Sequence, residues 1–102
     1  MPSDLRVLPE LDRLIHEPAR LALAAILSVA ESADFLYLQR ETGLTKGNLS
    51  FHLAKLEEAG YVSVEKTYRG RIPLTLVRLT DAGAVAYRAY RARFKKFLEK
   101  TG

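Results

Sequence analysis

The sequence predicts a mainly α-helical domain carrying one small antiparallel β-hairpin (α+β), and three observations carry that prediction. Leu49, Leu53 and Leu56 recur at spacings of four and three between a Gly43-Leu44 turn and Gly60, the apolar stripe of a short amphipathic helix. After Gly60 the period drops to two, because Val62 and Val64 alternate with Ser63, Glu65 and Thr67 as in a half-buried strand. Beyond Thr80 the helical spacing returns, with Tyr87, Tyr90, Phe94 and Phe97 three, four and three apart. At 102 residues and 48% apolar content the chain supports one core, hence a single domain over residues 1–102.

Taken in order, residues 1–16 read as an N-terminal arm followed by a short helix, marked by Leu11, Leu14 and Ile15, that Pro18 must interrupt. His16 is expected to cap the next helix, with Pro18 in its first turn where no amide partner is lost. That helix, over residues 19–30, is apolar nearly all round (Leu21, Leu23, Ile26, Leu27, Val29) and should lie at the centre of the core. Ala33-Asp34 leave room for a very short strand before a helix that buries Phe35, Leu36 and Leu38 and shows Gln39, Arg40 and Glu41. Gly43 can take the left-handed conformation that closes this helix, and Thr45 offers a hydroxyl to the free amides of the following one. Residues 34–60 therefore form a helix-turn-helix. Residues 61–79 form the hairpin, from Val62 to a partner strand over residues 74–79; pairing Val64 with Val77 and Val62 with Leu79 puts Gly70-Arg71 at its tip. Thr80-Asp81 cap a long last helix over residues 81–100.

Composition narrows the function. Residues 1–44 carry a net charge of −3 and residues 45–102 a net +7, so the C-terminal half faces a polyanion or carries a solvated basic surface. No apolar run approaches the roughly 20 residues of a membrane span, and the first fifteen residues lack the basic start and apolar centre of a signal peptide, which places the protein in the cytoplasm. Without cysteine there are no disulfides and no thiolate metal sites. Nothing resembles a phosphate-cradling glycine loop, a metal-ligand spacing or a nucleophile with a base, and Glu57-Glu58 look like helix solvation, so an enzyme is not expected and no cofactor is implied.

A helix joined by a tight turn to another, whose exposed first turns carry a cation, an amide, a hydroxyl and an imidazole, meets the requirements of a recognition helix in a DNA major groove. The candidate contacts are Thr45, Lys46, Asn48, Ser50, Phe51, His52 and Lys55. His52 either reaches a phosphate or base edge or packs beside the leucine stripe as a hydrogen-bonded residue. A basic hairpin directly after such a helix forms a wing, and Lys66, Tyr68, Arg69 and Arg71 suit the minor groove or its phosphates; the alternative is a charged tip that merely protects a sheet edge. The stripe Tyr87, Tyr90, Phe94 and Phe97, together with Leu8, Leu11 and Ile15, is too large to be covered by so small a domain, which calls for a homodimer. Tyr87, Tyr90 and Phe94 could also line a pocket, although nothing polar converges on it.

The phrases HEPARLALAAIL, TGLTKGNLSFHLAKLEEAGYV, YRGRIPLTLVRLT and LTDAG, in that order, resemble the small winged-helix transcription regulators of the MarR-like and ArsR-like groups. The chain looks most like their stand-alone winged-helix DNA-binding domain subgroup. That resemblance implies a winged helix-turn-helix with a long C-terminal dimerisation helix, acting as a homodimeric repressor on a palindromic operator in double-stranded DNA; a separate alternative is a ligand-sensing regulator, in which an unidentified small-molecule effector enters the dimer interface. Phe51 stands where typical members carry a polar or basic residue, which exchanges a hydrogen-bonded base contact for apolar contact with a thymine methyl. Gly47, a weak helix former, suits close backbone approach to a phosphate. The ArsR-like metal ligands have no counterpart here, since only His16 and His52 are available. The rival reading is a winged helix used as a protein- or RNA-interaction module, which would tolerate acids where residues 46–55 have none.

Overall fold

Capping chemistry sets the helix boundaries in the computed structural model, which describes residues 11–101. Helix α1 (Pro18–Val29) is capped by Glu17, whose carboxylate accepts the Arg20 amide at 2.8 Å, and not by His16 as expected. A cap must reach forward to the third helical amide, and the residue directly before the prolyl turn is the one placed to do so. The expected helix around Leu11 and Ile15 is instead a run of turns, because Asp12 Oδ1 accepts from the amides of Leu14 (2.9 Å) and Ile15 (3.3 Å) and satisfies them locally. Leu8 lies outside the described residues.

Strand β1 (Ala33–Asp34) leads into helix α2 (Phe35–Thr42), with Asp34 accepting the Tyr37 amide at 2.9 Å. Gly43, at φ 71°, ends α2 and returns its N–H to the Gln39 carbonyl. Helix α3 (Lys46–Glu58) follows, capped by the Thr45 hydroxyl on the Asn48 amide at 3.1 Å. Strands β2 (Val62–Arg69) and β3 (Ile72–Leu79) pair with Val62 opposite Leu79 and Val64 opposite Val77, the register expected from the alternation. The ladder runs on to Arg69 opposite Ile72, so β3 begins two residues earlier than expected. Gly70 at φ 64° turns the chain with Arg71, the glycine-first tight turn that matches strand twist. β1 pairs with β3 through Ala33–Val77 and Asp34–Leu76, which makes a three-stranded sheet of order β1-β3-β2 in place of a bare hairpin. Pro73 is tolerated because β1 reaches only to Leu76, leaving that end of β3 an edge.

The main core gathers Leu23, Leu27, Leu38, Leu49, Leu53, Leu56, Val62 and Val77 from three helices and the sheet. Val29 and Leu36, both expected inside, are 89% and 65% exposed. Each lies two residues from a core leucine, a rotation of about 200° that carries it to the opposite side of its helix.

Helix α4 (Asp81–Thr101) starts on the Thr80 hydroxyl, which accepts the Gly83 amide at 3.0 Å and donates to the Gly60 carbonyl at 2.6 Å. It crosses α1 and builds a second core from Leu11, Ile15, Ala24, Tyr87 and Tyr90. This corrects the expectation that neither stripe could be covered within one chain. Tyr87 and Tyr90 are 8% and 3% exposed, and Leu11 and Ile15 are equally hidden, because the turns at 11–17 fold directly beneath α4. Phe94 sits half-buried at the rim of this cluster and Phe97 half-buried one turn further on.

Candidate nucleic-acid interface

With Leu49, Leu53 and Leu56 turned into the core, α3 presents Lys46, Gly47, Asn48, Ser50, Phe51, Ala54 and Lys55 to solvent. Phe51 is 53% exposed, beneath the Lys55 ammonium at 5.6 Å and edge-on to the His52 ring at 5.2 Å. An exposed aromatic held between a cation and an imidazole is an apolar contact surface inside a polar face. Thr45 is exposed, but its hydroxyl is engaged in the cap.

His52 takes the packed alternative. Its Nδ1 accepts a hydrogen bond from Arg20 Nη1 at 3.0 Å and lies 3.8 Å from Glu17 Oε1, so the ring faces α1. His16 stays exposed but leans on α4, with Nδ1 2.7 Å from the Tyr90 hydroxyl and its ring 5.7 Å from that of Tyr90 and 5.9 Å from that of Phe94. The Tyr90 hydroxyl is raised above its ordinary range, first by burial and then by neighbouring Tyr87.

On the hairpin, Lys66, Tyr68, Arg69 and Arg71 are all exposed, while Arg78 lies 3.8 Å from Glu65 and is partly neutralised. Lys66 stands two residues along from Val64 and so shares its sheet face, the one turned toward α3. A single open groove then brings together Arg40 of α2, Lys46 and Ser50 of α3, and Lys66 and Arg69 of the wing, over a floor that includes Leu53 and Val64. Asp34 and Glu57 border the same groove. Asn48, Phe51, Lys55, Tyr68 and Arg71 lie outside it on exposed surface.

The geometry is that of a reading helix flanked by a basic strand pair. Residues 19–98 match the model of the winged helix DNA-binding domain family. The chain belongs to that family. An uncharacterized protein of Methanocaldococcus jannaschii is 37% identical over 79 residues, spanning 76% of this chain and 85% of its own length. A transcriptional regulator homologue from Pyrococcus horikoshii OT3 superposes with a TM-score of 0.87 at 29% identity, over 93% of this chain and 96% of that one. A PadR family transcriptional regulator from Eggerthella lenta shares the fold at 23% identity, with a TM-score of 0.68 and coverage of 88% and 87%. An ArsR family transcriptional regulator shares the fold at 19% identity, with a TM-score of 0.57 and coverage of 100% of this chain and 97% of that one.

Within this winged-helix domain, sequence reasoning passed over four contributors. Arg40 lies in the last turn of α2, and its place three residues before Gly43 was the available signal. Arg20 and Glu17 reach α3 only through the crossing of α1, which no local pattern reveals. Asp12 accepts a hydrogen bond from the Tyr61 hydroxyl across 49 residues; that bond first, then burial and the carboxylate's charge, push Tyr61 up to about 12. Among the described residues no group of three or more His, Asp or Glu is placed to hold a metal ion, and no helix is long and apolar enough to cross a membrane.

Proposed function

We propose that this chain is a sequence-specific transcription regulator, acting as a repressor, that binds duplex DNA as a homodimer with α3 in the major groove and the wing on the minor groove or backbone. One observation carries the reading: the groove between α2, α3 and the hairpin draws Arg40, Lys46, Lys66 and Arg69 from three elements onto one side of the domain. Cations from separate elements that converge beside an exposed helix gain by releasing counterions from phosphates, and the helix between them is free to read base edges. Asn48 is suited to bidentate pairing with adenine and Phe51 to a thymine methyl. Thr45, Lys46, Ser50, Lys55, Lys66, Tyr68, Arg69 and Arg71 are assigned to the backbone. His52 moves from contact to support.

The dimer rests on α4. With Tyr87 and Tyr90 committed to the chain's own core, the contact surface is assigned to Phe94, Phe97 and the half-exposed Leu98. Two domains related by a two-fold axis would place their α3 helices about one DNA turn, roughly 34 Å, apart. Any small-molecule effector would act on this arrangement from the α4 side, where Leu21, Tyr90, Phe94 and Leu98 line a second, shallower groove.

Selection of bound fragments from genomic DNA, followed by footprinting, tests the whole reading. Two protected half-sites about one turn apart are expected. Recovery of no common sequence, with affinity indifferent to salt, would refute it.

A further inference from the structure

Three leucines on one stripe hold α3 against the core and turn its other face to solvent. A polar contact at the edge of the stripe adds a directional restraint on that rotation. His52 points back to α1, where Arg20 Nη1 donates to its Nδ1 at 3.0 Å, and Glu17 Oε1 stands 3.8 Å from the same nitrogen. Arg20 is itself held, since its Nε donates to the Leu14 carbonyl and its amide to Glu17 Oε1. A guanidinium has donors and no acceptor, so His52 Nδ1 must be the acceptor and the ring proton must sit on Nε2. Next along the helix, Phe51 lies edge-on to the His52 ring and under the Lys55 ammonium, so one inward ring is in contact with an outward aromatic and, through it, with an outward cation.

We propose that Glu17 and Arg20 are positioning residues for DNA readout, which act through His52 to fix the rotation of α3 and so present Asn48 and Phe51 in register with the bases. The inference rests on the DNA-binding reading above. Neither α1 residue touches DNA in this scheme. Their contribution is therefore to specificity and not to phosphate affinity.

The test uses the full chain, a duplex selected by the unmodified protein and a random duplex of equal length, each titrated across a range of salt. Arg20→Gln is expected to weaken binding to the selected duplex about tenfold, leaving random-duplex affinity and the salt slope unchanged. His52→Leu should do the same, the double variant should lose no more than either single one, and His52→Gln, which keeps an acceptor toward Arg20, should retain most of the affinity. The two His52 variants carry the test without disturbing α1. Nitrogen NMR of the His52 ring in the free, unmodified protein should show the proton on Nε2. A salt slope lower by about one unit in Arg20→Gln would make Arg20 a phosphate contact and overturn the proposal. Additive losses in the double variant, or a proton on Nδ1 in the parent, would overturn it as well. An unmodified protein that binds no duplex overturns the DNA-binding reading and the proposal with it, whereas binding that Arg20→Gln leaves intact overturns the proposal alone.

Discussion

Gly83→Ala should be among the most damaging single-methyl changes in this chain. A Cβ at Gly83 would stand 2.0 Å from the Tyr61 carbonyl oxygen and 2.9 Å from its carbon, where ordinary contact begins at 3.4 Å. Relief requires a backbone displacement of about 1.4 Å, the difference between 3.4 and 2.0 Å, because the two nearest atoms are backbone; only the Leu79 Cδ1, at 3.0 Å, could swing aside. The carbonyl that must move also accepts the Thr80 amide at 3.0 Å, and Thr80 is the cap of α4. Overpacking costs about 1 to 3 kcal/mol and a lost backbone hydrogen bond about 1 more, so a total of roughly 2 to 4 kcal/mol is expected. Against a stability of about 5 to 15 kcal/mol for a domain of this size, that is a large fraction. Denaturant unfolding should show a lower midpoint with an unchanged slope, and the thermal midpoint should fall by roughly 10 °C or more. A change within about 0.5 kcal/mol of the parent would mean that α4 does not press on the junction between α3 and the wing as described.

Gly47→Ala should act in the opposite sense: nothing lies within 4 Å of its added Cβ, so stability should rise by up to about 1 kcal/mol while DNA affinity falls if the backbone there approaches a phosphate, and unfolding and binding titrations read the two effects separately. Tyr61→Phe should cost about 1 to 3 kcal/mol near neutral pH by taking from Asp12 Oδ2 its hydrogen-bond donor, Oδ1 keeping the Leu14 and Ile15 amides. Because Tyr61 is pushed up to about 12 in the folded chain and ionises near 10 unfolded, its contribution is fully present below about pH 10 and lost as pH rises through about 12; stability-against-pH curves of the two proteins should converge at that alkaline limit. Phe94→Glu with Leu98→Glu should leave a folded monomer with much weaker operator binding, and sedimentation showing the parent already monomeric at micromolar concentration would remove the dimer. Asn48→Ala should cost about 1 to 3 kcal/mol at one base pair of the site, and an equal loss on random DNA would make Asn48 a positioning contact only.

Elements whose cause is local were legible in the sequence. Gly43 and Gly60 both take positive φ, Thr45 and Thr80 both cap, and the hairpin pairs in the register that its alternation requires. What the sequence concealed depends on elements far apart in the chain. Nothing near Ala33 announces that it will pair with Val77, and the stripe of α4 looked too large to cover because the turns at 11–17, which supply Leu11 and Ile15, carry no regular pattern. His52 was ambiguous, and His16 looked like a cap, for the same reason: Arg20 and Tyr90, 32 and 74 residues away, decide which way each ring turns.

The charge asymmetry was legible as a sum, and its distribution changes what it means. Of the twelve cations in residues 45–102, Arg88, Arg91, Arg93, Lys95, Lys96 and Lys100 belong to α4, and none of them lines the groove beside α3. Arg78 is paired with Glu65. Those left on α3 and the wing are Lys46, Lys55, Lys66, Arg69 and Arg71, joined by Arg40 from the acidic half. At about 0.9 released counterions per phosphate contact, six cations set a ceiling near −5 on the salt slope of one domain, whereas the eleven cations of the C-terminal half other than Arg78 together would suggest about −10. The two values are far enough apart to be measured. Cations on α4 act through the long-range field, which steers encounter at low salt and is screened within a Debye length of about 10 Å at 0.1 M. The slope therefore reports how many charges touch DNA, and the association rate reports how many merely attract it.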